Sequence, residues 1–279
     1  MIANDRSYQA HVSQNIISGG FCCALLICII SVIIAYIFIN SMNSLGMQKI
    51  IITDFTRFAN PQIVCTAGID LTNGQCIRPM PYLNAAFCKS LHIVPGAIIS
   101  GEFTPVQNLT GPHQEDMFYK NLSYLGLCTS SEFKNALHAG LCDTVENGFQ
   151  IELGENQKHI PINHIIEKSI ITIKIQPDKV DIFGGYNQTK IKLNFVDNSG
   201  RAFKYLPITD LGFYGFAERI HMSNDGLRTL KAFICSQAEV YLRLGLSRPW
   251  DNGKINGYWI QVNGLYTFPD YHHEIRSCG

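Results

Sequence analysis

Beyond Met47 the pattern of apolar and polar residues predicts many short strands, and one of them shows a clear alternation. Residues 190–195 read Lys-Ile-Lys-Leu-Asn-Phe, so that every second side chain is apolar. A period of two predicts a strand with one buried and one solvent-facing side. Other runs rich in β-branched residues and bounded by turn residues predict strands at 50–53, 63–69, 97–103, 149–153, 170–175, 202–206 and 240–244. The pattern is therefore typical of a mainly β protein.

The apolar period changes to that of a helix in two places. Over residues 129–141, Thr129 and Glu132 form a capping-box pattern ahead of apolar residues spaced four apart. A second helix is predicted after Ser223 or Asp225, where apolar residues recur on one face. So few helices argue against an alternating α/β fold. They favour small, partly open barrels with one helix each, as in OB-folds.

Two Asn-Gly pairs predict tight hairpins, because a type I′ turn requires positive φ at both central residues. Asn73-Gly74 would join a strand at 64–71 to one at 76–78. Asn263-Gly264 would form the last hairpin of the chain.

The chain is expected to have three parts. An N-terminal segment at 1–46 precedes a first OB-like domain at 47–158 and a second at 159–279. No close sequence repeat relates the two halves, so the two barrels are inferred only from the many predicted strands and few predicted helices.

The N-terminal segment contains a long apolar run. Residues 21–39 include no charged residue, no Pro and no Gly. As a helix this run would rise about 28 Å, close to the thickness of a membrane's hydrocarbon core. We therefore expect a transmembrane helix at about 18–40, in preference to a buried helix or a cleaved signal peptide. Translation from Met47 is the third alternative, and it would leave the apolar run outside the protein.

Flanking charges and cysteines bear on the expected location. Arg6 precedes the apolar run, while Lys49 and Arg57 follow it, which leans slightly toward a cytoplasmic C-terminal part. The cysteines beyond the run are odd in number and form no Cys-x-x-Cys pair, as is typical of a reducing compartment. The expected location is the cell membrane, single-pass with a cytoplasmic C-terminal domain, or the cytoplasm if translation starts at Met47.

Charge restricts the possible ligands. The net charge is zero and charged residues make up only 16% of the chain, whereas proteins that grip a nucleic-acid backbone are usually basic. A nucleic-acid role would therefore depend on a local patch or on recognition of a base. The histidines are scattered without metal-ligand spacing, and no phosphate-binding or hydrolase motif occurs, so no metal and no cofactor is expected.

Four charged residues lie near predicted strand ends in the first half: Asp54, Arg57, Asp70 and Arg78. On a shared rim they would form a pocket in which an Arg grips an anion or a base edge and an Asp orients it. The alternative is a pair of structural Arg–Asp bridges that brace the turns.

The C-terminal region holds the other candidates for ligand binding. In Ser247-Arg-Pro-Trp250, the proline disfavours helix at Arg248 and would present it on an extended stalk, while Trp250 offers a stacking face. Alternatively, Arg248 stacks on Trp250 as a self-contained plug. Nearby polar residues complete the candidate set: Arg243, Gln261, Asn263 and Asp270.

From Met47 the chain resembles the prokaryotic dual-OB-containing domain family over roughly residues 47–271. The resemblance rests on Ile52-Thr-Asp-Phe-Thr-Arg57, Val64-Cys-Thr-Ala-Gly-Ile-Asp70, Ile77-Arg-Pro79, Leu244-Gly-Leu-Ser-Arg-Pro-Trp250 and Ile260-Gln-Val-Asn-Gly-Leu-Tyr-Thr-Phe-Pro-Asp270. It implies two OB-like barrels and recognition of a nucleic acid or nucleotide, with no established chemistry to carry over. The apolar N-terminal run departs from the family pattern.

Three functional hypotheses follow. The first is a module that binds a nucleotide or single-stranded nucleic acid, tethered to the membrane if residues 18–40 are translated. The second is an enzyme acting on a nucleobase or nucleotide through Arg57, Asp70, Arg78 and Arg248, which requires a carboxylate with a shifted pKa in a closed cleft. The third is a structural membrane protein without a ligand. The sequence indicates no particular protein partner.

Overall fold

A five-stranded closed barrel forms the first half of the folded chain. Strand β1 pairs with both β2 and β5, and β6 joins β5 to β3, with β3 and β6 running parallel. This order and the helix α1 between β3 and β5 define an OB topology. The elements are β1 (Met47–Arg57), β2 (Ile63–Asp70), β3 (Cys76–Met80), β4 (Leu83–Asn84), α1 (Ala85–Ser90), β5 (Ala97–Pro105) and β6 (Asp116–Leu127).

The computed structural model describes residues 46–184, 190–222 and 225–270. The described residues from Gln48 onward belong to one compact unit. Within those ranges no helix is long and apolar enough to cross a membrane. The predicted membrane helix at about 18–40 lies outside the described residues.

A connecting region follows the first barrel. It contains α2 (Ser130–Ala139), β7 (Leu141–Cys142), α3 (Val145–Phe149) and β8 (His159–Pro161). The predicted capping box is confirmed, since Thr129 and Glu132 exchange backbone and side-chain hydrogen bonds at the start of α2. The predicted strand at 149–153 is wrong. Helix α3, which Thr144 caps, extends to Phe149, the first of those residues. Gln150 then ends the helix in the left-handed conformation.

The second barrel repeats the strand order of the first. Strands β9 and β10 together take the place of β1: β9 pairs with β13, β10 pairs with β11, and a 3-10 turn at Pro177–Lys179 separates them. Ile208, the residue after β12, forms a parallel bridge with Val262 of β15. The strands are β9 (Ile170–Ile175), β10 (Val180–Gly184), β11 (Ile191–Val196), β12 (Ala202–Pro207), β13 (Glu239–Leu246), β14 (Trp250–Asp251) and β15 (Asn256–Phe268).

The expectation of one helix in each half is wrong in its count, since the first half contains α1 and α3 besides the predicted α2. The helix predicted after Asp225 is present as α5 (Gly226–Cys235), but α4 (Leu211–His221) precedes it. Helix α4 is rich in glycine and aromatic residues, which have low helix propensity. It is stabilised instead by tertiary burial of its apolar face and by Asp210, whose side chain accepts from the amide of Phe213.

The two Asn-Gly pairs have different outcomes. Asn73-Gly74 lies in the predicted hairpin between β2 and β3, but the turn is not type I′, since only Gly74 has a positive φ, of 74°. The predicted Asn263-Gly264 hairpin is wrong, because β15 continues through it and pairs with β13 on both sides of a register shift at Asn263. The Asn263 side chain lies against Gly245 and accepts a hydrogen bond from Thr209. Long-range pairing has overridden a local turn signal.

The two barrels share an apolar junction. Each barrel has its own core, and a third cluster combines Ile51 and Ile69 of the first barrel, Phe133 of α2, and Tyr241 and Tyr266 of the second barrel. The domain boundary at 158/159 stays a prediction. The junction matters for function because it also buries several of the charged residues that the sequence suggested as ligand contacts.

Candidate functional site

Asp54 and Arg243 form a buried ion pair between the barrels. Both side chains are only 1% exposed, and Arg243 donates from Nε and Nη2 to Asp54 Oδ2 at 2.9 and 2.6 Å. Arg243 Nη1 also donates to Thr172 Oγ1, and Nη2 lies 3.6 Å from Cys76 Sγ. Neither side chain reaches solvent, so this pair joins the two barrels and offers no exposed group to a ligand.

A second buried network surrounds Arg78. Its Nε donates to Asp116 Oδ1 at 2.5 Å and its Nη1 to Ser169 Oγ at 3.2 Å. The Glu115 carboxylate lies 3.7 Å from Arg78 and accepts from the amide and hydroxyl of Ser169. Since Ser169 directly precedes β9, this network also joins the first barrel to the second.

His113 completes the network in a fixed neutral form. Arg78 Nη2 donates to His113 Nδ1 at 3.0 Å, and a guanidinium can only donate. His113 Nε2 therefore carries the hydrogen, which it donates to the Ser247 carbonyl at 3.2 Å. Burial and the charges of Arg78 and Arg248 lower the pKa of His113 to about 3. His113 thus has no free ring nitrogen for proton transfer.

The rim predicted from Asp54, Arg57, Asp70 and Arg78 does not form. Asp70 braces the β2–β3 hairpin by accepting from the Thr72 amide and from Gln48 Nε2. Arg57 lies over the ring of Tyr214, 3.5 Å from its centroid. The alternative hypothesis, structural Arg–Asp bridges, is closer to the observed arrangement. The observed ion pairs are buried between the barrels, however, and do not brace exposed turns. Of the residues on which the enzyme hypothesis depended, Arg78 and Arg248 meet at the Asp116 carboxylate, whereas Arg57 and Asp70 lie elsewhere.

The Cys76 thiol, which lies beside Arg243, does not supply the enzyme hypothesis with a nucleophile. Burial raises the pKa of Cys76 to about 12, so its sulfur stays protonated at physiological pH.

Arg248 and Trp250 point to different partners, so neither the stalk nor the plug describes them. Arg248 donates from Nε to the Tyr82 hydroxyl at 2.7 Å and from Nη2 to Asp116 Oδ2 at 2.8 Å, yet its side chain stays 39% exposed. Trp250 is 57% exposed and meets Trp259 edge to face at 5.6 Å between ring centroids. Pro249 thus separates Arg248, which contacts residues at the barrel junction, from Trp250, whose ring lies at the surface.

Trp250 lines a cleft on the second barrel that we call the aromatic cleft. It measures about 330 Å³, and its main side chains are Lys158, Lys192, Tyr205, Trp250, Trp259 and Gln261. Ser247 also lines it, and Ser247 Oγ accepts a hydrogen bond from the Trp259 amide at 2.9 Å. Two of the candidates from the sequence, Gln261 and Ser247, therefore join Trp250 there.

The position of the aromatic cleft follows from the barrel topology. Lys192 lies on β11 and Tyr205 on β12, the second and third strands of the barrel. Trp250 comes from the connection between β13 and β15, the fourth and fifth strands. In OB-folds this face and this loop bind oligonucleotides and oligosaccharides.

Positive charges are crowded in the aromatic cleft. Desolvation, together with the charges of Lys190, Lys158 and Arg57, lowers the pKa of Lys192. Desolvation also lowers the pKa of Lys158, which donates to the Lys204 carbonyl at 3.2 Å. An anionic group bound here would relieve this repulsion.

Tyr205 is held in an unusual conformation at the edge of the cleft. Its φ is 60°, a region that bulky residues rarely occupy, and its amide donates to Asn194 Oδ1 at 2.8 Å. The ring packs edge to face on Phe183 and is 59% exposed. The backbone conformation thus helps to present an aromatic surface to solvent.

The remaining candidates lie elsewhere. Asn263 is engaged with Thr209, as described above. Asp270 contacts Gln237 and Thr267 through its backbone atoms at the end of β15. Lys158, Lys192 and Tyr205 line the aromatic cleft but were not predicted from the sequence as site residues. The lysines on the wet face of the strand at 190–195 were the available signal, but nothing local links that strand to Trp250.

A second and larger cleft lies beside the barrel junction, and we call it the junction cleft. It measures about 970 Å³ and includes Gln114 from the first barrel, Asn163, His164 and Ile165 from the segment before β9, and Arg248 and Tyr258. The segment Ser247–Trp250 separates the two clefts: Arg248 and Pro249 line the junction cleft, while Ser247 and Trp250 line the aromatic cleft.

Comparison with known proteins agrees with this architecture. Residues 50–265 match the family described as "Dual OB-containing domain", and the chain therefore belongs to that family. No curated protein and no solved structure matches the chain.

Proposed function

We propose that this member of the dual OB-containing domain family binds single-stranded nucleic acid, or the nucleotide units of one, in the aromatic cleft. The observation that carries the proposal is the combination of exposed aromatic rings with crowded lysines in one cleft. Base stacking on aromatic side chains together with a basic surface is how OB-folds hold single strands without reading sequence. The zero net charge is compatible with this function because the positive charge is local.

Details of the cleft support a nucleotide as the bound unit. A cleft of about 330 Å³ lies at the lower end of the range that small ligands occupy, roughly 300–1,000 Å³. The exposed rings of Trp250 and Tyr205 offer stacking surfaces, and Lys192 offers a charge to a phosphate.

We further propose that residues 21–39 tether the barrels to the cytoplasmic face of the membrane. The support is the length of the uncharged run, which suits one membrane crossing. A reporter fused at the C-terminus should be active only in the cytoplasm. N-terminal sequencing that begins at Met47 would remove the tether from the protein and leave the binding proposal intact.

The binding proposal is tested by fluorescence anisotropy with a labelled oligothymidylate. Trp250→Ala should weaken binding by about 1–3 kcal/mol, roughly 5- to 150-fold, through lost stacking. Lys192→Gln should weaken binding and reduce its dependence on salt, because one phosphate contact is lost. Phe118→Ala is the matched control, since Phe118 is a 50% exposed aromatic residue on β6 of the other barrel. Absence of binding by the parent at low salt, or equal losses in Phe118→Ala, would contradict the proposal.

A further inference from the structure

The two clefts lie on opposite sides of one short turn. Within the segment Ser247–Trp250, the two outer residues line the aromatic cleft and the two inner residues line the junction cleft. On β15 two neighbouring residues also line different clefts, with Tyr258 in the junction cleft and Trp259 in the aromatic cleft. A ligand that leaves the aromatic cleft over this turn would therefore enter the junction cleft next.

The aromatic cleft alone is small for a polymeric ligand. OB-folds typically cover about 4–16 nucleotides of a single strand. A volume of about 330 Å³ is at the low end even for a single small ligand. The junction cleft, at about 970 Å³, is roughly three times larger. Together the two clefts provide an extended path.

The chemistry of the junction cleft suits bases more than phosphates. Arg248 is partly exposed, but Asp116 balances its charge, and Glu167 adds a carboxylate to the lining. The other groups are mostly neutral hydrogen-bonding side chains, such as Gln114 and Asn163, beside exposed aliphatic surface. Ile165 is 91% exposed, more than any other large apolar side chain recorded in the described ranges. Such a surface can pack against a base or ribose without adding net charge.

We propose that the ligand is a chain of several nucleotides that crosses the Ser247–Trp250 turn and places its next bases in the junction cleft. This inference rests on the proposed function, since it extends the ligand from the aromatic cleft. It assigns the two clefts different tasks. The aromatic cleft supplies stacking and phosphate attraction, and the junction cleft supplies largely uncharged contacts.

The test compares oligothymidylates of two and eight nucleotides as ligands. The double variant His164→Ala/Ile165→Ser removes two exposed side chains of the junction cleft, so it should fold like the parent. We expect it to weaken binding of the octamer by about fivefold or more and to leave the dinucleotide unchanged. The salt dependence of octamer binding should also stay unchanged, in contrast to Lys192→Gln. Leu127→Ser, a change at an exposed apolar residue at the end of β6, is the control and should alter neither ligand.

The outcomes separate this inference from the proposed function. Equal binding of both ligands by the double variant and the parent means that the strand does not cross the turn, while binding in the aromatic cleft stands. Equal weakening of dinucleotide and octamer also overturns the inference, because it shows an indirect effect on the aromatic cleft. If the parent binds neither ligand, both proposals fail.

Discussion

Replacing Arg243 with Met should strongly destabilise the folded barrels. The substitution keeps much of the apolar stem but removes the guanidinium that donates twice to Asp54 and once to Thr172. The Asp54 carboxylate would stay buried, with the Thr53 hydroxyl still donating to its Oδ2. Its Oδ1 already lacks a partner within the described residues. Removing one member of a buried ion pair costs about 3–5 kcal/mol. We expect a loss of that size.

A second substitution shows that the cost arises from the charge left behind. Asp54→Leu in the Arg243→Met background replaces the whole pair with apolar side chains. Replacing a buried pair in this way is often neutral or stabilising. The hydroxyls of Thr53 and Thr172 would each lose a partner, at about 1 kcal/mol each. The double variant should therefore lie within about 2 kcal/mol of the parent and well above Arg243→Met.

The assay is chemical denaturation of the parent, both single variants and the double variant, followed by circular dichroism. Oligothymidylate binding is measured in parallel, under conditions where each variant is folded. If Arg243→Met unfolds at the same denaturant concentration as the parent but loses ligand affinity, the reasoning is refuted. Arg243 would then contact ligand, as the sequence first suggested.

Two further predictions concern pH and the N-terminal segment. Burial raises the pKa of Asp210 to about 7, so between pH about 4 and 7 the native state holds a proton that the unfolded state releases. Stability should fall as pH rises through this window, and Asp210→Asn should remove that part of the dependence; an unchanged profile would contradict the assignment. A fragment that starts at Met47 should fold as a soluble β-rich protein with a cooperative melt. Recovery of folding only when residues 1–46 are restored in detergent would show the prediction to be wrong.

The sequence predicted the fold class well because strand periodicity is a local signal. Alternation at 190–195 and β-branched runs such as 170–175 became strands of the expected kind. Predictions failed where tertiary contacts overrode local preference. Helix α4 forms despite its glycines because its aromatic residues are buried. Strand β15 passes through Asn263-Gly264 because β13 pairs with it on both sides of that point.

The site was harder to predict because burial and pairing are long-range properties. Asp54 and Arg243 lie 189 residues apart, and nothing in either sequence context indicates that they meet. Trp250 could be identified from the sequence, because the proline before it indicated an extended turn that would present the ring to solvent. Its neighbours Lys192 and Tyr205 come from other strands, and only the barrel topology brings them to the same face.

Intrinsic tryptophan fluorescence tests the central claim most directly, because the chain contains only two tryptophans and both line the aromatic cleft. A base stacked on Trp250 should quench the emission as oligothymidylate is added, with the same midpoint as the anisotropy titration. Trp250→Phe should remove most of that change while keeping part of the affinity. Binding by anisotropy that leaves the tryptophan emission unaltered would place the ligand elsewhere and contradict the account.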